Sequence, residues 1–150
     1  IEIAALLVHP SSLEVQSSYY TKVIPSHPQT ADPKSLEVTR FTPASWKEAI
    51  PLSTALSELS QLAPDCILAG WAVHTEWDFL NAALEKEGLP YFYHHQLLEV
   101  WALAYVKFRT DPGMELLGLS KVARRLGINV DLHKPDSDIR ATYEIFKRLI

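Results

Sequence analysis

Near its carboxyl end the chain reads HKPDSDIRATYEIFKRLI, residues 133–150. His133 and Asp138 stand five residues apart at the mouth of a helix with an apolar stripe. An imidazole titrates near neutral pH, and a carboxylate is an oxygen ligand for hard cations. The pair therefore suits proton transfer or metal-dependent chemistry. The same residues also have a plain structural use. Asp136 or Ser137 can cap such a helix, Asp138 in its first turn complements the helix dipole, and His133 is then a loop residue.

A second group lies in GWAVHTEWDFL, residues 70–80. An apolar run ends there and a helical pattern begins, so Glu76 and Asp78 arrive just past the end of a strand. That edge of a sheet is where α/β proteins place ligands, and carboxylates there suit Mg²⁺ or Mn²⁺. First-turn acids are also common as dipole partners. Other polar groups carry less. His74, His94 and His95 lack the spacing of a His/Cys metal site. Lys121, Arg124 and Arg125 read as the solvated face of a helix. Tyr19, Tyr20, Tyr91, Phe92 and Tyr93 are of the type that stacks on bases, although aromatic residues in strands more often pack a core. Glu99, just before a helix, reads as a solvated charge.

The elements that must position these groups follow from periodicity. IEIAALLV (1–8) and LEVQSSYYTKVI (13–24) flank a turn at His9–Ser12 and predict a hairpin. PSHPQTADPKS (25–35) predicts a long, mobile loop. An amphipathic region begins at Pro43, Trp46, Ala49 and Ile50 and continues through 51–63. DCILAGWAV (65–73) predicts a buried central strand. Residues 75–88 predict a helix with Phe79, Leu80, Ala83 and Leu84 inward and Gly88 as its stop. Residues 89–108 predict an extended piece running into a helix. MELLGLSKVARRLGI, opened at or after Asp111-Pro112, predicts another helix, stopped by Gly127. The last helix starts near Asp136. This order of strands and helices predicts an α/β or α+β sheet with helices packed on it.

Composition bounds the rest. With 47% hydrophobic and 21% charged residues in 150, the chain is a globular domain able to bury a core. A net charge of −4 gives no general attraction to nucleic acid, so such a partner must be held by local basic patches or by bound cations. The single cysteine, Cys66, excludes an internal disulfide and suits a reducing, cytoplasmic location. No apolar run reaches the length of a membrane span, and IEIAALLVHP lacks the basic flank and cleavage site of a signal peptide.

Taken in order, four segments resemble the DEDDh 3′–5′ exonucleases, the family of polymerase III proofreading subunits, ribonuclease T and oligoribonuclease. IEIAALLV resembles the family's second strand, I-I-E-I-A. ILAGWAVHTEWDFL resembles its second motif, G-H-N-x-x-F-D-x-x-F-L. LSKVARRLGI resembles its L-x-x-L-A-x-x-L-G-I helix. HKPDSDIRATYEIF resembles its third motif, H-x-A-x-x-D-A-x-A-T-x-x-x-F, with His133, Asp138, Ala141 and Thr142 in step. There are departures. Glu76 stands at the motif's aspartate, Asp78 falls on a variable position, and Trp71, Ala72 and Thr75 replace its His, Asn and Phe. The family's first motif, Asp-x-Glu, lies on the strand before I-I-E-I-A, and the expectation is that it lies upstream of Ile1.

The resemblance implies a ribonuclease H-like fold: a mixed central sheet flanked by helices, here a single domain over 1–150, N-terminally incomplete and without its first strand. It implies phosphodiester hydrolysis at single-stranded or frayed DNA or RNA 3′ ends with two Mg²⁺ or Mn²⁺ ions about 4 Å apart. His133 is then the general base, Asp138 and Glu76 are metal ligands, and Asp78 is the substitute for Glu76. A homodimer or a polymerase-type partner is implied as well, and no membrane. The alternative is a non-catalytic exonuclease-like module that binds nucleic acid or a protein partner.

Overall fold

The computed structural model describes residues 1–114, 117–129 and 134–150. The expected hairpin forms: β1 (Glu2–Val8) pairs antiparallel with β2 (Val15–Lys22), from Glu2 opposite Lys22 to Val8 opposite Val15. A register shift falls between Leu7 and Val8. Its turn is held from within and from afar. The His9 Nδ1 accepts the N–H groups of Ser11 and Ser12, while Leu13 adopts φ 58°. That left-handed conformation is costly for leucine. The Tyr143 hydroxyl, 130 residues on, donates to the Leu13 carbonyl at 2.6 Å and ties the turn down.

The segment read as a loop contains a 3₁₀ turn at Pro28–Thr30 and a short helix, α1 (Pro33–Val38). Pro33 suits the first helical position and the Asp32 carboxylate caps the Lys34 N–H at 2.7 Å. The amphipathic region also begins later than its pattern suggested. Residues around Trp46 form turns, Ile50 bridges to Val23, and α2 runs over Leu52–Leu62, burying Ala55, Leu56 and Leu59. Trp46 is buried for a different reason: its indole N–H donates to the Val23 carbonyl and its ring lies under the Lys22 ammonium.

A βαβ unit follows. β3 (Cys66–Gly70) pairs parallel with β4 (Tyr93–Glu99) through α3 (Val73–Glu87), which Gly88 ends in a left-handed turn at φ 64°. Leu84 is buried as expected, but Phe79 is 70% exposed. α4 (Val100–Phe108) leaves β4 without a loop. α5 covers Leu119–Arg125, a shorter span than its pattern, entered from an extended Gly118; Glu115 and Leu116 of that pattern lie outside the described residues. α6 spans Pro135–Leu149. With Pro135 at its first position it begins one residue before Asp136, so neither Asp136 nor Ser137 caps it and both lie inside the first turn.

The sheet is divided. Among the described residues β1 pairs only with β2 and β3 only with β4, so each pair has an open edge. All seven residues of β1 are only partly buried, and Ile67 in β3 is 54% exposed. These strands carry the apolar sequence of central strands while having a neighbour on one side. Two helices join the halves: α2, which packs against β2 and α3, and α6, which packs against β1, β3, α4 and α5. Its Ala141 and Ile145 are fully buried, and Ile145 enters a core with Val100, Ala104, Phe108 and Val122. Truncation of Ile145 to alanine should therefore cost about 3 kcal/mol, typical of a buried aliphatic. Urea unfolding followed by far-UV circular dichroism reads this, and a loss well under 1 kcal/mol would show that α6 is not a common support.

Candidate active site

The sequence places the candidate acids at two helix entrances, and the structure shows how each entrance is built. At the first, β3 ends at Gly70 and the chain turns through Trp71 and Ala72 into α3. Ala72 sits at φ 61°, and no side chain in this turn caps the helix. The orphan N–H groups find their acceptor elsewhere. Glu99, at the end of β4, takes the Ala72 N–H at 2.9 Å with one oxygen and the Val73 N–H at 3.0 Å with the other. It also takes the Trp101 N–H at 3.0 Å, capping α4. One carboxylate thus serves two helix N-termini, where backbone dipoles favour negative charge. A gap in the sequence signalled this: no Ser, Thr, Asp or Asn stands before Val73.

Glu76 lies in the first turn of α3 beside this arrangement. The residue is exposed, yet its carboxyl is raised above the ordinary 4.5, first by partial burial. A backbone hydrogen bond opposes the rise, the Glu99 charge adds to it, and His74 opposes it. The His74 Nδ1 lies 3.9 Å from Glu99. Asp78 is exposed on the same helix. Burial is thus the main reason Glu76 resists ionising, with the Glu99 charge a smaller contribution and His74 acting against it.

At the second entrance, Asp136 and Asp138 occupy the first turn of α6. Arg140 pairs with Asp136 at 3.2 Å, and the Asp138 carbonyl accepts the Thr142 hydroxyl at 2.9 Å. The latter satisfies a threonine buried on the inner face of α6. His133 lies outside the described residues. Among the described residues no three His, Cys, Asp or Glu side chains gather into a group that could hold a metal. Carboxylates are of the donor type that hard cations prefer.

The exonuclease family model of RNase T type matches residues 1–146. The chain belongs to this exonuclease family. No curated protein matches it. The mixed α/β architecture, with small strand pairs and flanking helices, agrees with the ribonuclease H-like fold of such exonucleases. No described helix is long and apolar enough to cross a membrane.

Two outcomes test the first entrance of this exonuclease domain. Glu99→Ala should cost about 2 kcal/mol, because amides at two helix starts lose their acceptor. Hydrogen exchange at Ala72, Val73 and Trp101 should accelerate selectively, and uniform acceleration would contradict a local cap. For Glu76 the sign follows from its raised pKa: the folded state holds the proton more tightly than the unfolded one, so stability falls as pH rises through this interval. The penalty is absent below 4.5 and full above the folded value. Glu76→Gln should thus be more stable than the parent at pH 7 without divalent ions and equal to it in acid. Denaturation midpoints across pH check this, and a constant difference would contradict it.

Proposed function

We propose that this domain hydrolyses phosphodiester bonds from the 3′ end of single-stranded or frayed nucleic acid. The observation that carries the reading is the match to the exonuclease family over 1–146; Asp138, which the resemblance aligns with the third motif's acid, lies in the first turn of α6. Glu76 and Asp138 would hold Mg²⁺ or Mn²⁺, with Asp78 as the substitute for Glu76. When bound, such ions supply charge to clamp the attacking and leaving oxygens of the displacement.

The chain's own residues supply the remainder. His133 takes a proton from the attacking water, whose oxygen forms the new bond to phosphorus. The bond to the 3′ oxygen of the preceding nucleotide breaks, releasing a nucleoside 5′-monophosphate and leaving a strand one unit shorter. Histidine is the side-chain type suited to such proton transfer near neutral pH. Glu99 acts at one remove, holding the turn that presents Glu76.

A second reading, a non-catalytic module that binds nucleic acid or a protein partner, draws on Trp71 and Ala72 standing where the motif has His and Asn. One assay separates the two. A 5′-labelled single strand, DNA and RNA in parallel, is incubated with Mg²⁺, with Mn²⁺ or with chelator. The enzyme reading expects a ladder of stepwise shortening that needs metal and falls at least about 100-fold in His133→Ala and Asp138→Asn. Immediate release of the labelled nucleotide would reverse the direction. No shortening under any condition, with binding retained, would leave the module.

A further inference from the structure

Beside the entrance of α6 lies a cavity of about 440 Å³, within the size range of small-ligand sites. Three distant parts of the chain enclose it: the open end of the hairpin, the segment after α1, and the start of α6. Each contributes a cation, namely Lys22, Arg40 and Lys134. Two carboxylates also line it, and both are engaged. Glu2 accepts the Tyr20 hydroxyl at 2.5 Å and lies 4.0 Å from the Lys22 ammonium. Asp136 takes the Arg140 guanidinium through both oxygens at 3.2 Å. Lys22 is further fixed by the Ser45 carbonyl at 2.9 Å and the Trp46 ring.

Arg40 differs. Its guanidinium makes no hydrogen bond or ion pair among the described residues, although it lines the cavity. Its backbone sits at φ 50°, a conformation glycine adopts without cost and arginine does not. That backbone is held by the Arg40 N–H to the Glu37 carbonyl and by the Ser45 hydroxyl on the Arg40 carbonyl. A planar fork of donors is thus presented from a fixed point into a hollow with two further cations. Such a fork matches the oxygens of phosphate. Tyr20, 49% exposed at the same cavity, adds a ring face of the kind that stacks on bases. Its hydroxyl is kept protonated, pushed up to about 12 by burial, then by Glu2 and the charge of Asp136.

We propose that Lys22, Arg40 and Lys134 form a phosphate subsite for a nucleotide unit of the strand, with Arg40 as its principal contact. The subsite rests on the exonuclease reading for its ligand, since it opens within four residues of Asp138. On a chain of net charge −4 it supplies the local attraction that the overall charge does not.

The test is binding without hydrolysis: fluorescence anisotropy of a labelled single-stranded oligonucleotide in chelator, across salt concentrations. Arg40→Gly removes the fork while relaxing the backbone, so the variant should melt no lower than the parent. It should bind about tenfold more weakly, with a salt slope shallower by about 0.7, the value for one lost phosphate contact on a single strand. Arg40→Lys should recover most of the affinity, and Arg124→Ala, on the outer face of α5, should bind like the parent. Unchanged affinity and slope in Arg40→Gly would overturn the subsite, as would an equal loss in Arg124→Ala. Competition by a nucleoside 5′-monophosphate as effective as by the oligonucleotide assigns the subsite to a terminal phosphate. Competition by the oligonucleotide alone assigns it to the backbone. Competition by inorganic phosphate as effective as by the oligonucleotide overturns a nucleotide subsite. Because nothing is cleaved in chelator, binding that depends on Arg40 stands even if the cleavage assay is blank. Cleavage with Arg40-independent binding removes the subsite alone.

Discussion

Two strand pairs that share no ladder among the described residues are bridged chiefly by α6, which packs against β1 of one and β3 of the other, with α2 adding contacts to β2 and α3. Ala141, Thr142 and Ile145 are the buried residues of α6, and the helix contacts β1, β3, α4 and α5. Small Ala141 permits close approach, and Ile145 fills the space among Val100, Ala104, Phe108 and Val122. Thr142 costs little there because its hydroxyl returns to the Asp138 carbonyl one turn back. Tyr143 then reaches outward to pin the hairpin turn at Leu13. The helix that supports the fold is also the one that starts with Asp136 and Asp138, so packing at its middle sets the position of the carboxylates at its mouth.

The other entrance is governed by charge rather than packing. Glu99 concentrates its negative charge on amides of two helix starts, and this arrangement lets Ala72 turn at positive φ without a local cap. The same charge presses on Glu76. Burial first, and then the carboxylate that orders the turn, make Glu76 reluctant to ionise.

Basic groups are distributed in a complementary way. Lys121, Arg124 and Arg125 lie on α5, where Arg125 pairs with Asp111 and Arg124 folds back on its own helix. Lys22, Arg40 and Lys134 instead converge from three segments on a hollow. A run of basic residues in sequence and a gathering of them in space are different things, and only the second focuses a field.

The sequence alone determined what depends on neighbours within a few residues. The hairpin, the βαβ order, the Gly88 stop and the burial of Leu84 follow from local periodicity and turn chemistry, as do the spacings that carry the family resemblance. Local preference also misled where a residue had two uses. Phe79 fits the apolar stripe of α3 yet faces solvent, and Pro135 shifted the start of α6 by one residue. Tertiary structure decided the rest, because each case joins residues far apart in the chain. Glu99 looked like a solvated charge until β4 brought it beneath the turn before α3. Arg40 belongs to no sequence motif, and only the fold brings it beside the hairpin and the start of α6. The apolar runs of β1 and β3 could not reveal how many neighbours each strand has. Periodicity records which way side chains point, whereas pairing, capping and charge focusing depend on what the folded chain brings to meet them.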